Sequence, residues 1–233
     1  MINNLCIEYG ECIDVDDPSI DITKVYLFPE PSKLAEDGVE QKLKDLGFGY
    51  RARYIEKSAR LLGVLSNDAN VWLESLRAIT YADAKKELLK LCGVGPKVAD
   101  CICLMSLDKM NAIPVDTHVM QVATRDYVKS GIFLEILKGR KDSESDLERA
   151  KEITKTITAA KSVTQNVYSS VNEMFNMIFG SYCGWAQTIL FVGDLNRPEN
   201  KESEEPKKKE NKEKKTVKRE SEVDSKRPKR KKI

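Results

Sequence analysis

The chain of 233 residues carries 39 Lys+Arg, 37 Asp+Glu, six Cys and a single His, and is 41% hydrophobic and 33% charged. At roughly 150 residues per domain this allows one or two domains with a substantial core. One histidine excludes a multi-histidine metal site, the cysteines form no CxxC pair, and Asp100 interrupts the richest apolar run well short of the roughly 20 residues of a membrane span.

The net charge of +2 is unevenly divided: residues 197–233 hold 16 basic and 9 acidic groups, a local +7, which leaves 23 basic and 28 acidic groups, or −5, on residues 1–196. Met1-Ile2-Asn3-Asn4-Leu5 leads into polar residues without a basic n-region, so no signal peptide is expected. A soluble intracellular chain with reduced thiols, and no membrane partner, is the expectation.

Apolar residues recur at helical spacing and strand-type alternation is scarce, which predicts an all-α body. In chain order the expected helices are 34–46, 50–65, 70–79, 81–91, 96–107, 117–128 and about 182–191. Thr80, with Asp83 three residues on, is a credible N-cap between the third and fourth. The charge-laced stretch 131–161 reads as a solvated helix plus loop. Residues 1–196 form one domain on this reading. Residues 197–233 have no aromatic residue and almost no apolar ones, and read as a disordered basic tail. Its end, Lys226-Arg227-Pro228-Lys229-Arg230-Lys231-Lys232, has the pattern of a nuclear-import signal or nucleic-acid arm, with a solubilising tail as the alternative.

The most informative stretch is Leu91-Cys92-Gly93-Val94-Gly95-Pro96-Lys97-Val98-Ala99-Asp100. A helix ends, two glycines turn the chain, and Pro96 opens a second helix where its fixed φ does no harm. Such a hairpin lets the N–H groups of Gly93, Gly95 and Val98 approach a phosphate, and the carbonyls of Leu89, Leu91 and Val94 could hold a monovalent cation. An ordinary helical corner would need the same glycines. Further on, Ile113-Pro114-Val115-Asp116-Thr117-His118 puts an aspartate at a helix N-cap, where its carboxylate takes backbone N–H bonds. Taken singly, Lys97 reads as a surface lysine and Asp116 as a helix cap. Together behind the hairpin they read as an amine nucleophile with its carboxylate partner.

These two motifs resemble the helix-hairpin-helix base-excision DNA glycosylase superfamily. Gly93-Val94-Gly95-Pro96-Lys97-Val98-Ala99-Asp100-Cys101-Ile102-Cys103-Leu104-Met105 with Pro114-Val115-Asp116-Thr117-His118 resembles its eukaryotic 8-oxoguanine DNA glycosylase/AP lyase branch. Gly47-Phe48-Gly49-Tyr50-Arg51-Ala52-Arg53-Tyr54 and Gly184-Trp185-Ala186-Gln187-Thr188-Ile189-Leu190-Phe191 are similar to the same branch, in the same order. The resemblance implies that Lys97 attacks the sugar C1′ of a damaged nucleotide, expels the base and cuts the strand by β-elimination through a Schiff base. It implies that Asp116 stabilises the positive charge on the sugar, and that His118 contacts a phosphate; a hydrogen-bonded structural role is the alternative for His118. Cys101, Met105, Gln187 and Phe191 would line the pocket of a flipped base. Tyr50 would fill the vacated position, and Arg51 would read the widowed cytosine.

The implied partner is damaged double-stranded DNA, met by a monomer, with excision of 8-oxoguanine opposite cytosine and nuclear location. Two departures stand out. An α/β domain precedes this region in the branch, so this sequence is expected to be a fragment, a mis-started gene model or a reduced enzyme, and Cys92 replaces a common proline. A lyase-only or non-catalytic DNA-binding remnant is therefore the alternative. An oxidised-pyrimidine glycosylase of the endonuclease III kind would need four closely spaced cysteines for an iron–sulfur cluster, and Cys183 stands alone in its region, so no cluster is expected.

Overall fold

The computed structural model describes residues 1–16 and 24–196. The tail 197–233 and its basic cluster lie outside them. The chain divides into two units, Met1–Ile189 and Leu190–Ile233, and the described part of the second is the end of the last helix.

The first unit opens with α1 (Ile2–Tyr9) and two short antiparallel strands, β1 (Cys12–Asp14) and β2 (Lys24–Tyr26), in the register Cys12↔Tyr26, Ile13↔Val25, Asp14↔Lys24. This hairpin of strands is absent from the sequence reading. Its residues are mostly exposed, so they lack the in-out alternation that marks a half-buried strand. Helices α2 (Pro31–Leu34) and α3 (Val39–Asp45) follow in place of the single helix expected at 34–46. The break lets Leu34, Val39 and Leu43 all reach one core with Leu5, Phe48, Ala52 and Ala59.

Helix α4 (Arg51–Leu65) serves two cores. Ala52 and Ala59 face the first, and Leu62 joins Leu76, Ala84, Leu88, Leu91, Ala99, Cys103, Leu104, Leu107 and Ala112 in the second. The second core is built by α5 (Ala69–Ala78), α6 (Tyr81–Leu88) and α7 (Pro96–Ser106). Their starts are set by local chemistry. Asp68 Oδ1 accepts the N–H groups of Asn70 and Val71 at 2.8 and 3.3 Å, and Thr80 Oγ1 accepts that of Asp83 at 3.2 Å. Pro96 occupies the first turn of α7, where its missing N–H donor costs no intrahelical hydrogen bond.

Helix α8 (Thr117–Val122) runs into a π-helical turn, Ala123–Lys129, instead of continuing as the regular helix expected to 128. The stretch 131–161 is also corrected. It forms two helices, α9 (Ile132–Arg140) and α10 (Glu144–Ala159), and it is not merely solvated. Phe133, Leu137, Ala150, Ile153 and Ile157 are buried at helical spacing behind the charged face. They pack with α11 (Gln165–Phe179), a helix the sequence reading lacks, whose Val171, Met174 and Phe175 are completely buried. Tyr127 on the π turn meets the Phe175 ring edge-on at 5.5 Å.

Helix α12 (Cys183–Leu195) begins against the segment that leads to Asp116. The Gly184 N–H donates to Met110 O at 2.9 Å, and a side chain at Gly184 would collide with the Ala112 carbonyl and lie 2.7 Å from that of Met110. No helix among the described residues is long and apolar enough to cross a membrane. Because the obstacles at Gly184 are backbone atoms, Gly184→Ala should cost about 2–4 kcal/mol, seen as a lower urea midpoint with an unchanged slope.

Candidate active site at the hairpin and the capped aspartate

The turn between α6 and α7 is shaped by Gly93, whose φ is +80°. A side chain there would also lie 2.5 Å from the Tyr54 ring, so α4 packs directly on the hairpin. A second tie from α4 is Ser58, whose hydroxyl donates to Cys92 O at 2.9 Å. Within the turn, Val94 N–H donates to Leu91 O and Ala99 N–H to Gly95 O, at 3.2 and 2.9 Å. Among the described residues, no acceptor takes the N–H groups of Gly93, Gly95 or Val98. The carbonyls of Leu89 and Val94 likewise receive no hydrogen bond there, and Leu91 O keeps one lone pair. These are the donors and acceptors that the sequence singles out.

Lys97 stands on the first turn of α7, its side chain half exposed. Asp116 caps α8, and its two carboxylate oxygens do different things. Oδ1 accepts the N–H groups of His118 and Val119 at 3.0 and 2.9 Å, while Oδ2 faces the Lys97 ammonium at 3.7 Å. The cap bonds fix the carboxylate, so one oxygen is held towards the amine without being consumed by it. At 3.7 Å the pair is an ion pair wider than a hydrogen bond, and both groups stay open to solvent.

Tyr50 and Arg51 lie at the start of α4, on the helix that carries Tyr54 and Ser58. Tyr50 is two-thirds exposed, its ring edge-on to Tyr54 at 5.9 Å, and the Arg51 guanidinium stacks over it at 5.0 Å. An aromatic ring and a cation thus project from the helix that buttresses the hairpin. His118 is half buried on α8. Cys101 is partly buried one turn after Lys97, and Met105, a further turn on, is 55% exposed. Gln187, on α12, is 95% buried, yet among the described residues no group pairs with its side-chain amide. Phe191 lies on α12 in the second unit.

A cluster beneath the site escapes the sequence reading. Asp100, fully buried on α7, accepts from Tyr81 Oη and Lys85 Nζ, both at 2.7 Å, and from Tyr168 Oη. Lys85 is held between the Tyr81 and Tyr168 rings at 5.4 and 5.0 Å. Burial first, and then the Asp100 carboxylate, push both phenols far above the ordinary tyrosine range, so both remain donors. Tyr168 Oη is also 3.1 Å from Ile113 O, which Asn172 Nδ2 approaches at 3.4 Å.

Residues 1–152 match the family described as HhH-GPD superfamily base excision DNA repair protein, and the chain belongs to this family. It is 34% identical to the N-glycosylase/DNA lyase of Saccharomyces cerevisiae over 204 residues, which cover 84% of this chain and 50% of that protein. It is 38% identical to the Arabidopsis thaliana N-glycosylase/DNA lyase OGG1 over 176 residues, 76% of this chain and 40% of the relative. The chain thus spans half or less of the length of these relatives. Among solved structures, Clostridium acetobutylicum 8-oxoguanine glycosylase/lyase, in complex with double-stranded DNA containing cytosine opposite 8-oxoG, matches with a TM-score of 0.58 and 26% identity. That match covers 84% of this chain and 53% of the other.

Burial raises the Cys101 thiol, with Lys97 pulling it back in part, and burial with the Asp100 charge raises Cys103 to about 11. At pH 7.5 iodoacetamide should therefore modify exposed Cys12 well before Cys101 or Cys103, as peptide mapping would record. Equal rates at all three would contradict the assigned environments.

Proposed function

We propose that the chain is a base-excision DNA N-glycosylase with AP lyase activity, acting through Lys97 and Asp116. The observation that carries the reading is the 3.7 Å pair of an accessible amine and a cap-fixed carboxylate beside a hairpin with unpaired amides. The curated relatives, named N-glycosylase/DNA lyase, support it.

On this reading the phosphate backbone of damaged double-stranded DNA seats on the N–H groups of Gly93, Gly95 and Val98, with His118 contacting a neighbouring phosphate. A monovalent cation held by the carbonyls of Leu89, Leu91 and Val94 would add positive charge next to that phosphate. The Lys97 amine, in its neutral form, forms a bond to the sugar C1′ as the glycosidic bond breaks, and that bond's electron pair leaves with the base. Asp116 Oδ2 stabilises the positive charge gathered on the sugar, an electrostatic effect that needs no reorganisation because Oδ1 is already bonded. Loss of the amine's proton and ring opening yield the Schiff base. Removal of a C2′ proton then expels the 3′ phosphate.

For substrate we propose 8-oxoguanine opposite cytosine, as in the DNA bound to the Clostridium acetobutylicum relative. The amide of Gln187, a residue 95% buried, suits the reading of a purine edge, with Cys101 and Met105 along one wall of the flipped base's pocket. Tyr50 would occupy the emptied position and Arg51 the widowed cytosine. No redox cofactor or iron–sulfur cluster is called for by an amine and a carboxylate. The chain would act as a monomer in the nucleus, its tail serving import or bulk attraction to DNA.

Cleavage of duplexes carrying 8-oxoguanine, thymine glycol or an abasic site tests the reading. Cutting of the first and third, but not the second, is expected. Cutting of the abasic duplex alone would indicate a bare lyase, and cutting of none an inert binder. Lys97→Gln should lower single-turnover strand cleavage by at least about a thousandfold, and Asp116→Asn should slow base release about a hundredfold or more with little loss of binding. Equal losses in rate and affinity for Asp116→Asn would remove its transition-state role. Deleting residues 197–233 should leave the chemistry intact and flatten the salt dependence of DNA binding; an unchanged slope would refute a role for the tail in binding.

A further inference from the structure

The Lys97–Asp116 distance is not fixed by either residue's own element. Lys97 rides on α7 and Asp116 on the segment entering α8, and no hydrogen bond joins the two side chains at 3.7 Å. Their spacing must be set where the two backbones are tied together. Asp100 is three residues after Lys97, so whatever holds it sets the rotation and height of that turn of α7. Ile113 is three residues before Asp116, and its carbonyl is the last one before Pro114, which can donate no hydrogen bond of its own.

One atom touches both. The Tyr168 hydroxyl, buried on α11, shares its one proton between two acceptors, Asp100 Oδ2 and Ile113 O, the latter at 3.1 Å. The rest of the cluster braces this bridge. Tyr81 of α6 donates to Asp100 Oδ1, and Lys85 of α6 shares Oδ2 with Tyr168. Asn172, one turn after Tyr168, approaches Ile113 O at 3.4 Å and donates to Tyr168 O at 3.1 Å.

We propose that Tyr168 is a positioning residue, whose hydroxyl clamps α7 to the Ile113 carbonyl and so sets the distance between the Lys97 amine and the Asp116 carboxylate. The inference rests on the reading of those two residues as the reactive pair. Asp100, Lys85 and Tyr81 anchor one side of the clamp and Asn172 the other. Because a shift of about 1 Å in a reacting group costs roughly a hundredfold in rate, loss of the clamp should appear in the chemical step and not in DNA affinity.

Tyr168→Phe removes the bridging oxygen alone. Asp100 keeps two donors and Ile113 O keeps Asn172, so the fold is expected to persist. The full chain would be mixed in excess with a duplex containing an abasic site, and the borohydride-trapped adduct followed in time. Amplitude reports the fraction of folded protein, and the rate constant reports the chemistry of each folded molecule. Affinity would be read on a duplex carrying a tetrahydrofuran abasic analogue. The clamp predicts a rate constant lowered about 10–100-fold with affinity within about twofold. A reduced amplitude with an unchanged rate constant would overturn it, leaving Tyr168 a packing residue.

If Tyr168→Phe does not fold, Asn172→Ala supplies the same comparison with a smaller expected fall of about 3–10-fold, since only the bracing bond is lost. An unchanged rate constant there would overturn the clamp equally. Lys97→Gln in the same assay separates the two claims. Abolished trapping with an unaffected Tyr168→Phe rate sinks the clamp alone, whereas continued trapping by Lys97→Gln sinks the reactive pair and the clamp with it.

Discussion

A carboxylate with no access to water must be paired or hydrogen-bonded, and Asp100 meets this condition with three donors drawn from two other helices. Tyr81 and Lys85 come from α6, Tyr168 from α11. The requirement therefore locks α7 against both neighbours, at the helix whose first turn carries Lys97. Removing Lys85, the cation among the three, would leave buried charge uncompensated, at a cost of about 3–5 kcal/mol, so the arrangement of these helices is not free to drift.

Above this anchor the site is assembled from ordinary local chemistry. A glycine at positive φ turns the chain under the Tyr54 ring, a proline opens α7, and an aspartate caps α8. Each would be unremarked in another protein. Among the described residues, their combination leaves hairpin amides unpaired next to an amine that faces a fixed carboxylate oxygen. Charge follows the same pattern. Residues 1–196 carry −5 in total, so any attraction to a polyanion from this part of the chain has to be local, from hairpin donors and cations such as Lys97 and Arg51.

What could be read from the sequence is what short-range rules control. The Thr80 cap, Pro96 at a helix start, the Gly93 turn and the Asp116 cap all depend on residues within a few positions, and all stand in the structure. Longer-range features were not legible. Tyr168 and Asp100 are 68 residues apart, and a tyrosine in an apolar helix gives no sign of which carboxylate it will meet. Helix α11 was within reach of the sequence: Val167, Val171, Met174, Phe175 and Ile178 recur at helical spacing, and the reading passed over them. The stretch 131–161 misled because its many charges occupy the exposed faces of α9 and α10, masking Phe133, Leu137, Ile153 and Ile157 beneath. No residue at 123–129 announces a π turn, from which Tyr127 packs edge-on against Phe175 of α11. Pairing of Lys97 with Asp116 was read from the two motifs taken together, although spacing along the chain does not fix the 3.7 Å between two helices.

The central claim is that Lys97 is the amine that bonds to the sugar. Reduction with borohydride in the presence of an abasic-site duplex, followed by nuclease and protease digestion and mass spectrometry, reads the modified residue directly. The account predicts the deoxyribose remnant on Lys97. A remnant on another lysine or on the N-terminal amine, with Lys97 unmodified, would contradict it.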